Sequence, residues 1–382
     1  MHLTVFKRLL FSLLVSATFL LAEAQPKFNL KYKNSQVYAG IEVGSKGVKM
    51  SLLEVDRSLQ KENSFNILKD TSVNSDFISF TPASFSATLK GLNSLYQAAL
   101  NDYQLPASRI YTVISSGVKV QAEKENKTAW LSNLKDSFRV LINDANREVE
   151  IVDVMQEARL SHLGIVPAQR RYSTFLIDIG SGNTKGGFFP NGNTKDLKLF
   201  QLSWGTKSTA NATEKRLDED KSIPNYYKNL SRVLAGDAAN EIIYAVNVSN
   251  AYNMSDYVAF SGGIGWATAT LIFPELIENP VVPVTYDDML KFNERLLKDY
   301  ASLSDKAILS KITDPTADKL LIGNETKRVN QVFDQKALLA GTGLLLSIMR
   351  QFEGVYEKKQ FYLVKNGQVG WISAYVNQSL SQ

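Results

Sequence analysis

From Val37 onward the chain alternates between apolar runs and short turns bearing glycine. YAGIEVGSKGVKMSLLEV (38–55) predicts a strand, a tight turn and a second strand. In FSATLKGLNSLYQAALNDY (85–103) the apolar positions recur at three and four residues, the spacing of one helix face. RIYTVISS (109–116) predicts a buried strand, and VEIVDVMQEARLSHLGI (149–165) a strand passing into a helix. STFLIDIGSGNTKGGFFP (173–190) is again strand, turn, strand. A helix-rich stretch follows over 208–246, then a strand, a glycine turn and a helix in DYVAFSGGIGWATATLIF (256–273). Residues 285–303 are amphipathic, and 336–355 form a mostly apolar helix. Near the end, Asn366-Gly367 in KKQFYLVKNGQVGWISAYV (358–376) predicts a hairpin turn.

The pattern restarts at Ser173, and the restart is an internal duplication. IEVGSKGVK (41–49) aligns on IDIGSGNTK (177–185): isoleucine, glycine, serine and the final lysine coincide, and Glu42 faces Asp178. Two similar α/β domains are expected, over 37–170 and 171–382, with the C-terminal segment free to pack back on the first. A polar stretch, QPKFNLKYKNSQ (25–36), precedes them as a linker.

Residues 1–24 stand apart. Lys7 and Arg8 precede the apolar run LLFSLLVSATFLL, and Ala22-Glu23-Ala24 offers a small-x-small cleavage site before Gln25. This reads as a secretory signal, with no membrane span left after cleavage and a protein exported to the periplasm or exterior of a bacterium. The alternative is an uncleaved anchor. The absence of cysteine excludes a lipoprotein anchor, disulfides and thiolate metal sites. At 44% hydrophobic and 21% charged the composition is that of a folded chain rather than a disordered one. The net charge of +5 suits a phosphorylated ligand, but no basic run points to nucleic acid.

The turns carry the candidate chemistry. Glycine lets an anion approach the main chain, and consecutive N–H groups there make a concavity that binds phosphate. Gly44, Ser45, Lys46 and Gly47 form the first turn; Gly180, Ser181, Gly182, Asn183, Thr184 and Lys185 form the second. A third glycine element, with Gly262 and Gly263, follows the strand at 256–261. The acidic residue before each turn, Glu42 and Asp178, is placed to hold magnesium beside a phosphate.

This order of turns resembles the actin-like ATPase superfamily, and is most similar to the exopolyphosphatase and guanosine pentaphosphate phosphohydrolase family. VISSGVKVQAEKENKTAWL (113–131) looks like that family's serine-bearing strand end followed by a basic residue, here Ser116 and Lys119. DVMQEARLSHLGIV (153–166) is similar to its Glu-Glu-Ala-Arg-Leu signature, SWGTKS (203–208) to a further glycine turn, and VFDQKALLAGTGLLLSIM (332–349) to its closing helix. The resemblance implies two duplicated actin-like (ribonuclease H-like) α/β domains around a cleft. It also implies that Glu157 orients or deprotonates the attacking water. The turns with Ser116, Lys119, Gly262 and Gly263 would bind phosphate, and Glu42 and Asp178 would hold magnesium. Four positions depart from the family pattern: Glu42 for aspartate, Gln156 for the first signature glutamate, Lys119 for arginine and Lys185 for glutamate.

Other residues carry less chemistry. His162 sits in an apolar helical context and reads as structural, and Trp204, Tyr226, Tyr227 and Trp266 read as packing residues. Two histidines and no cysteine argue against zinc, and no Gly-x-Ser-x-Gly elbow supports a serine hydrolase. The leading expectation is an exported phosphohydrolase removing terminal phosphate from polyphosphate, or less readily from guanosine pentaphosphate, with magnesium. The alternatives are a catalytically altered actin-like fold that binds a phosphate compound or a protein, and an actin-like ATPase. A homodimer is left open.

Overall fold

The computed structural model describes residues 28–56, 65–250, 255–353, 359–365, 367 and 370–380. The signal expectation for residues 1–24 lies outside them. Among the described residues, eleven strands form two sheets. The first holds β1 (Ser35–Val43), β2 (Gly47–Asp56), β3 (Phe65–Asn74), β4 (Ile110–Ile114) and β5 (Glu150–Ile151). The second holds β6 (Thr174–Ile179), β7 (Thr184–Phe188), β8 (Lys198–Leu202), β9 (Tyr257–Ser261), β10 (Val281–Val284) and β11 (Gln360–Val364).

The strand orders make the duplication visible. The first sheet runs β3-β2-β1-β4-β5 and the second β10-β11-β9-β6-β7-β8. Read from the other edge, the second sheet repeats the first and adds β10. In each half a hairpin is antiparallel (β1/β2, β6/β7), and its first strand pairs in parallel with a later one (β1/β4, β6/β9). The register places Glu42 opposite Lys49 in one hairpin and Asp178 opposite Lys185 in the other. Acid and lysine therefore sit side by side on the same face of both hairpins. The chain has the mixed α/β, two-domain actin-like fold.

Two cores match the two sheets. Ile41, Val43, Met50, Leu92 and Phe138 belong to the first, and Phe175, Ile177, Phe260, Leu338 and Leu345 to the second. The central strands β6 and β7 are buried along their whole length, as expected of strands covered on both faces.

The last helix, Gly370–Ser379, returns to the first half: Trp371, Ile372 and Val376 pack with Tyr38, Leu53 and Leu160. It follows β11 where a hairpin would place a second strand; Asn366 of the expected Asn366-Gly367 turn lies outside the described residues, and the described segment after it is helical. The physical reason is burial. Seven consecutive residues, Gly370 to Val376, are buried, so this segment is enclosed rather than alternating between a core face and solvent. Within the stretch expected as a linker, Phe28 stacks on Tyr103, and the Lys31 and Tyr32 N–H groups donate to the buried Glu54 carboxylate at 2.8 and 2.7 Å. β1 starts at Ser35, inside that stretch.

His162 is buried as a structural residue: Nε2 lies 3.0 Å from the Thr174 carbonyl and the ring meets Phe189 edge-on. Burial lowers its pKa to about 4. Tyr226, Trp204 and Trp266 pack into the second core, and Trp266 Nε1 donates to Glu325. Among the described residues, no single helix is long and apolar enough to cross a membrane.

Candidate active site

The two hairpin turns face each other across a cleft of about 130 Å³. Gly44, Ser45, Lys46 and Gly47 line it from one side, and Gly180, Ser181, Gly182, Asn183 and Lys185 from the other. Gly262 and Gly263 close one end, while Glu42, Glu157 and Asp178 form the acidic floor.

The approach is closest at Gly182. A Cβ there would lie 2.3 Å from Ser45 Oγ and 2.6 Å from the Gly117 carbonyl, so only glycine lets the halves meet at this point. Helix Ser116–Lys124 holds the contact from the first half. Gln121 Nε2 donates to the Gly182 carbonyl at 2.6 Å, and Asn183 Nδ2 to Ser116 Oγ at 3.1 Å.

Carbonyls in both turns accept hydrogen bonds. The Gly44 N–H donates to the Gly47 carbonyl, and the Ser75 and Asp76 N–H groups donate to the Lys46 carbonyl. In the second turn the N–H groups of Thr206, Lys207 and Ser208, at the start of helix Thr206–Glu214, take the Gly180 and Ser181 carbonyls. Among the described residues, the N–H groups of Ser45, Lys46, Ser181 and Gly182 donate to no protein acceptor. Gly262, with φ of +88°, opens helix Gly262–Ile272, whose first N–H groups have no acceptor within the helix. Amide groups without a protein partner thus lie in both turns, and a helix starts at Gly262, all among residues that line the cleft.

Glu157 reaches the floor because Asp153 caps its helix: the Asp153 carboxylate accepts from Gln156 N at 2.7 Å. The Glu157 side chain is only 1% exposed. Its Oε2 accepts from Ser116 N at 2.6 Å, at the N-terminus of the neighbouring helix, where a carboxylate is favoured. Its Oε1 meets Lys185 Nζ at 2.8 Å. The same ammonium lies 2.8 Å from Asp178 Oδ2, while Ser261 Oγ donates to Asp178 Oδ1 at 3.1 Å. Burial alone would strip the charge from Lys185, but the two carboxylates more than offset it and hold the ammonium well above the ordinary lysine range.

Glu42 differs. It receives Trp371 Nε1–H at 3.2 Å. Burial pushes its pKa up to about 7; the Glu157 and Asp178 charges add to this, and Lys49 and Lys185 oppose it. The position between Asp178 and Glu157 is filled by Lys185 Nζ, and Glu42 is biased toward its neutral form. Among the described residues no group of three or more acidic or histidine side chains is arranged to hold a metal. The residues present do not fit the expected magnesium ion.

Three of the phosphate candidates are not part of the cleft wall among the described residues. Ser116 is fully buried and anchors Glu157 and Asn183. Thr184 is fully buried and donates to the Trp204 carbonyl at 2.7 Å. Lys119 lies a turn into helix Ser116–Lys124, half-buried. Among the residues that line the cleft without having been candidates are Lys49, Arg328 and Trp371. Lys49 was findable, since the hairpin alignment places it opposite Lys185. Trp371 comes from the far end of the chain and left no local signal. Lys46 donates to the Val332 carbonyl and lies 4.5 Å over the Phe333 ring, joining the first turn to the second half.

The fold is similar to that of solved Ppx/GppA and exopolyphosphatase structures. A Ppx/GppA family member from Aquifex aeolicus superposes with a TM-score of 0.59 at 15% identity, covering 91% of this chain and 98% of that one. An exopolyphosphatase-like protein gives 0.61 at 15% identity, over 91% of this chain and 100% of its own. An exopolyphosphatase from Cytophaga hutchinsonii gives 0.54 at 11% identity, over 90% and 98%. No protein-family model and no curated protein matches the sequence.

Proposed function

We propose that the chain is an exported phosphohydrolase that binds the end of an inorganic polyphosphate in this cleft and releases its terminal phosphate. The observation that carries the reading is that unpartnered amides at Ser45, Lys46, Ser181 and Gly182 belong to residues lining a cleft that a buried carboxylate, Glu157, also lines. The likeness in fold to exopolyphosphatases supports the same chemistry. The amides hold the terminal phosphoryl oxygens, and Lys49 and Lys46 neutralise charge along the chain. Glu157 orients a water and takes its proton as the water oxygen bonds to phosphorus and the bridging oxygen departs. A signal peptide favours polyphosphate, because nucleotide alarmones are confined to the cytoplasm.

One observation favours a second reading, a binder without turnover. Both Glu157 oxygens already accept hydrogen bonds, from Ser116 N and from Lys185. Phosphate release from long-chain polyphosphate by the chain from Gln25 separates the two. Release that disappears in Glu157→Gln supports the hydrolase. Retained polyphosphate binding with no release of phosphate removes it in favour of the binder.

A further inference from the structure

The acidic floor contains its own cation. Asp178 and Glu157 come from different elements, a central strand and the signature helix, yet their oxygens converge on one point. Convergent carboxylates of this kind are the usual setting for a divalent ion bridging protein and phosphate. Here the point is taken by Lys185 Nζ, at 2.8 Å from each. The ammonium arrives there by register: Lys185 stands directly opposite Asp178 in the β6/β7 hairpin. The remaining oxygens are also engaged, Asp178 Oδ1 by Ser261 and Glu157 Oε2 by Ser116 N. A magnesium ion needs oxygens at about 2.0–2.1 Å in near-octahedral array. It would have to expel a fully buried, doubly paired ammonium to obtain them.

We infer that Lys185 is a covalently built-in substitute for a divalent cation, so that the floor of the cleft binds no metal and phosphate is met by an ammonium-neutralised site. The duplication supports this. The first hairpin has the same acid and lysine in register, Glu42 and Lys49, but among the described residues no ion pair joins Lys49 to a carboxylate, and Lys49 lines the cleft instead. One lysine of the repeat thus neutralises the floor while the other faces the ligand. The inference stands apart from phosphate release, since a protein that binds without turnover would hold the same internal cation.

The test is a manganese titration of the purified chain from Gln25, without phosphate, followed by loss of the free-ion electron paramagnetic resonance signal. Wild type is expected to show no saturable site. Lys185→Ala, with its fold checked by circular dichroism, is expected to gain one manganese site, for which magnesium competes and which a further Asp178→Asn change removes. Lys185→Gln, closer in volume, serves if the alanine variant does not fold. Saturable one-to-one binding to wild type that Asp178→Asn abolishes would overturn the inference. So would a folded Lys185 variant that gains no site. Either result leaves the phosphate-release assay unaffected, so the two proposals fail separately.

Discussion

Replacing Glu42 by glutamine has a calculable effect on stability. The Glu42 side chain is 7% exposed, and burial raises its pKa from 4.5 to about 7. Between those values the folded protein holds a proton that the unfolded chain has released, so stability falls as pH rises through the window. Below pH 4.5 both states are protonated and the cost is absent; above pH 7 it is fully present. At about 1.4 kcal/mol per pKa unit, the difference amounts to at most about 3 kcal/mol. Glutamine is neutral throughout and keeps a carbonyl oxygen for Trp371 Nε1. Urea unfolding of wild type and Glu42→Gln should therefore be compared from pH 4.5 to 8. The variant should gain on wild type progressively, by up to about 3 kcal/mol at pH 8. Groups elsewhere cancel in the difference. A difference that stays constant across the window would refute the assignment of a buried, neutral-biased carboxylate at this position.

Lys185→Met leaves Asp178 and Glu157 buried without their cation, and should cost about 3–5 kcal/mol in urea unfolding at pH 7. A loss under about 1 kcal/mol would mean the ion triad is not formed in solution. Glu54→Ala removes the acceptor of the Lys31 and Tyr32 N–H groups and should cost about 2–3 kcal/mol. It should also open residues 28–34 to proteolysis, and an unchanged digestion pattern would count against that anchor. Gln121→Ala severs the bond from the first half to the Gly182 carbonyl, and should weaken polyphosphate binding while leaving the thermal midpoint within a few degrees.

The duplication was legible because each half opens on the same hairpin, and a hairpin is a local object. The repeat of strand order followed from it. Strand β3 was not legible: none of its ten residues is buried, and in FNILKDTSVN apolar and polar residues do not alternate cleanly. The helices Ser116–Lys124 and Ala129–Leu141 were read through a family likeness as a strand end and a basic residue, which hid Gln121 and its contact with the second turn. At the site, the acidic positions and glycine turns could be read directly. What Lys185 does could not, because its partners sit on β6 and on the helix Val154–Ile165, and only the folded register joins them. Trp371 and Glu42 are 329 residues apart in sequence. No spacing rule reaches that far. Glu54 carries no local signal of its role, which appears only when residues 28–35 wrap onto it.

The central claim is that the two turns meet to make one phosphate-chain site, and Gly182 is where it can be broken without touching a charged group. A side chain there would collide with Ser45 Oγ and the Gly117 carbonyl and drive the halves apart. Calorimetric titration of inorganic tripolyphosphate into wild type and Gly182→Ala, each with its fold confirmed by circular dichroism, tests this directly. The account predicts saturable binding to wild type that weakens by about tenfold or more in the variant. Equal binding by both, or no binding to wild type, would contradict it.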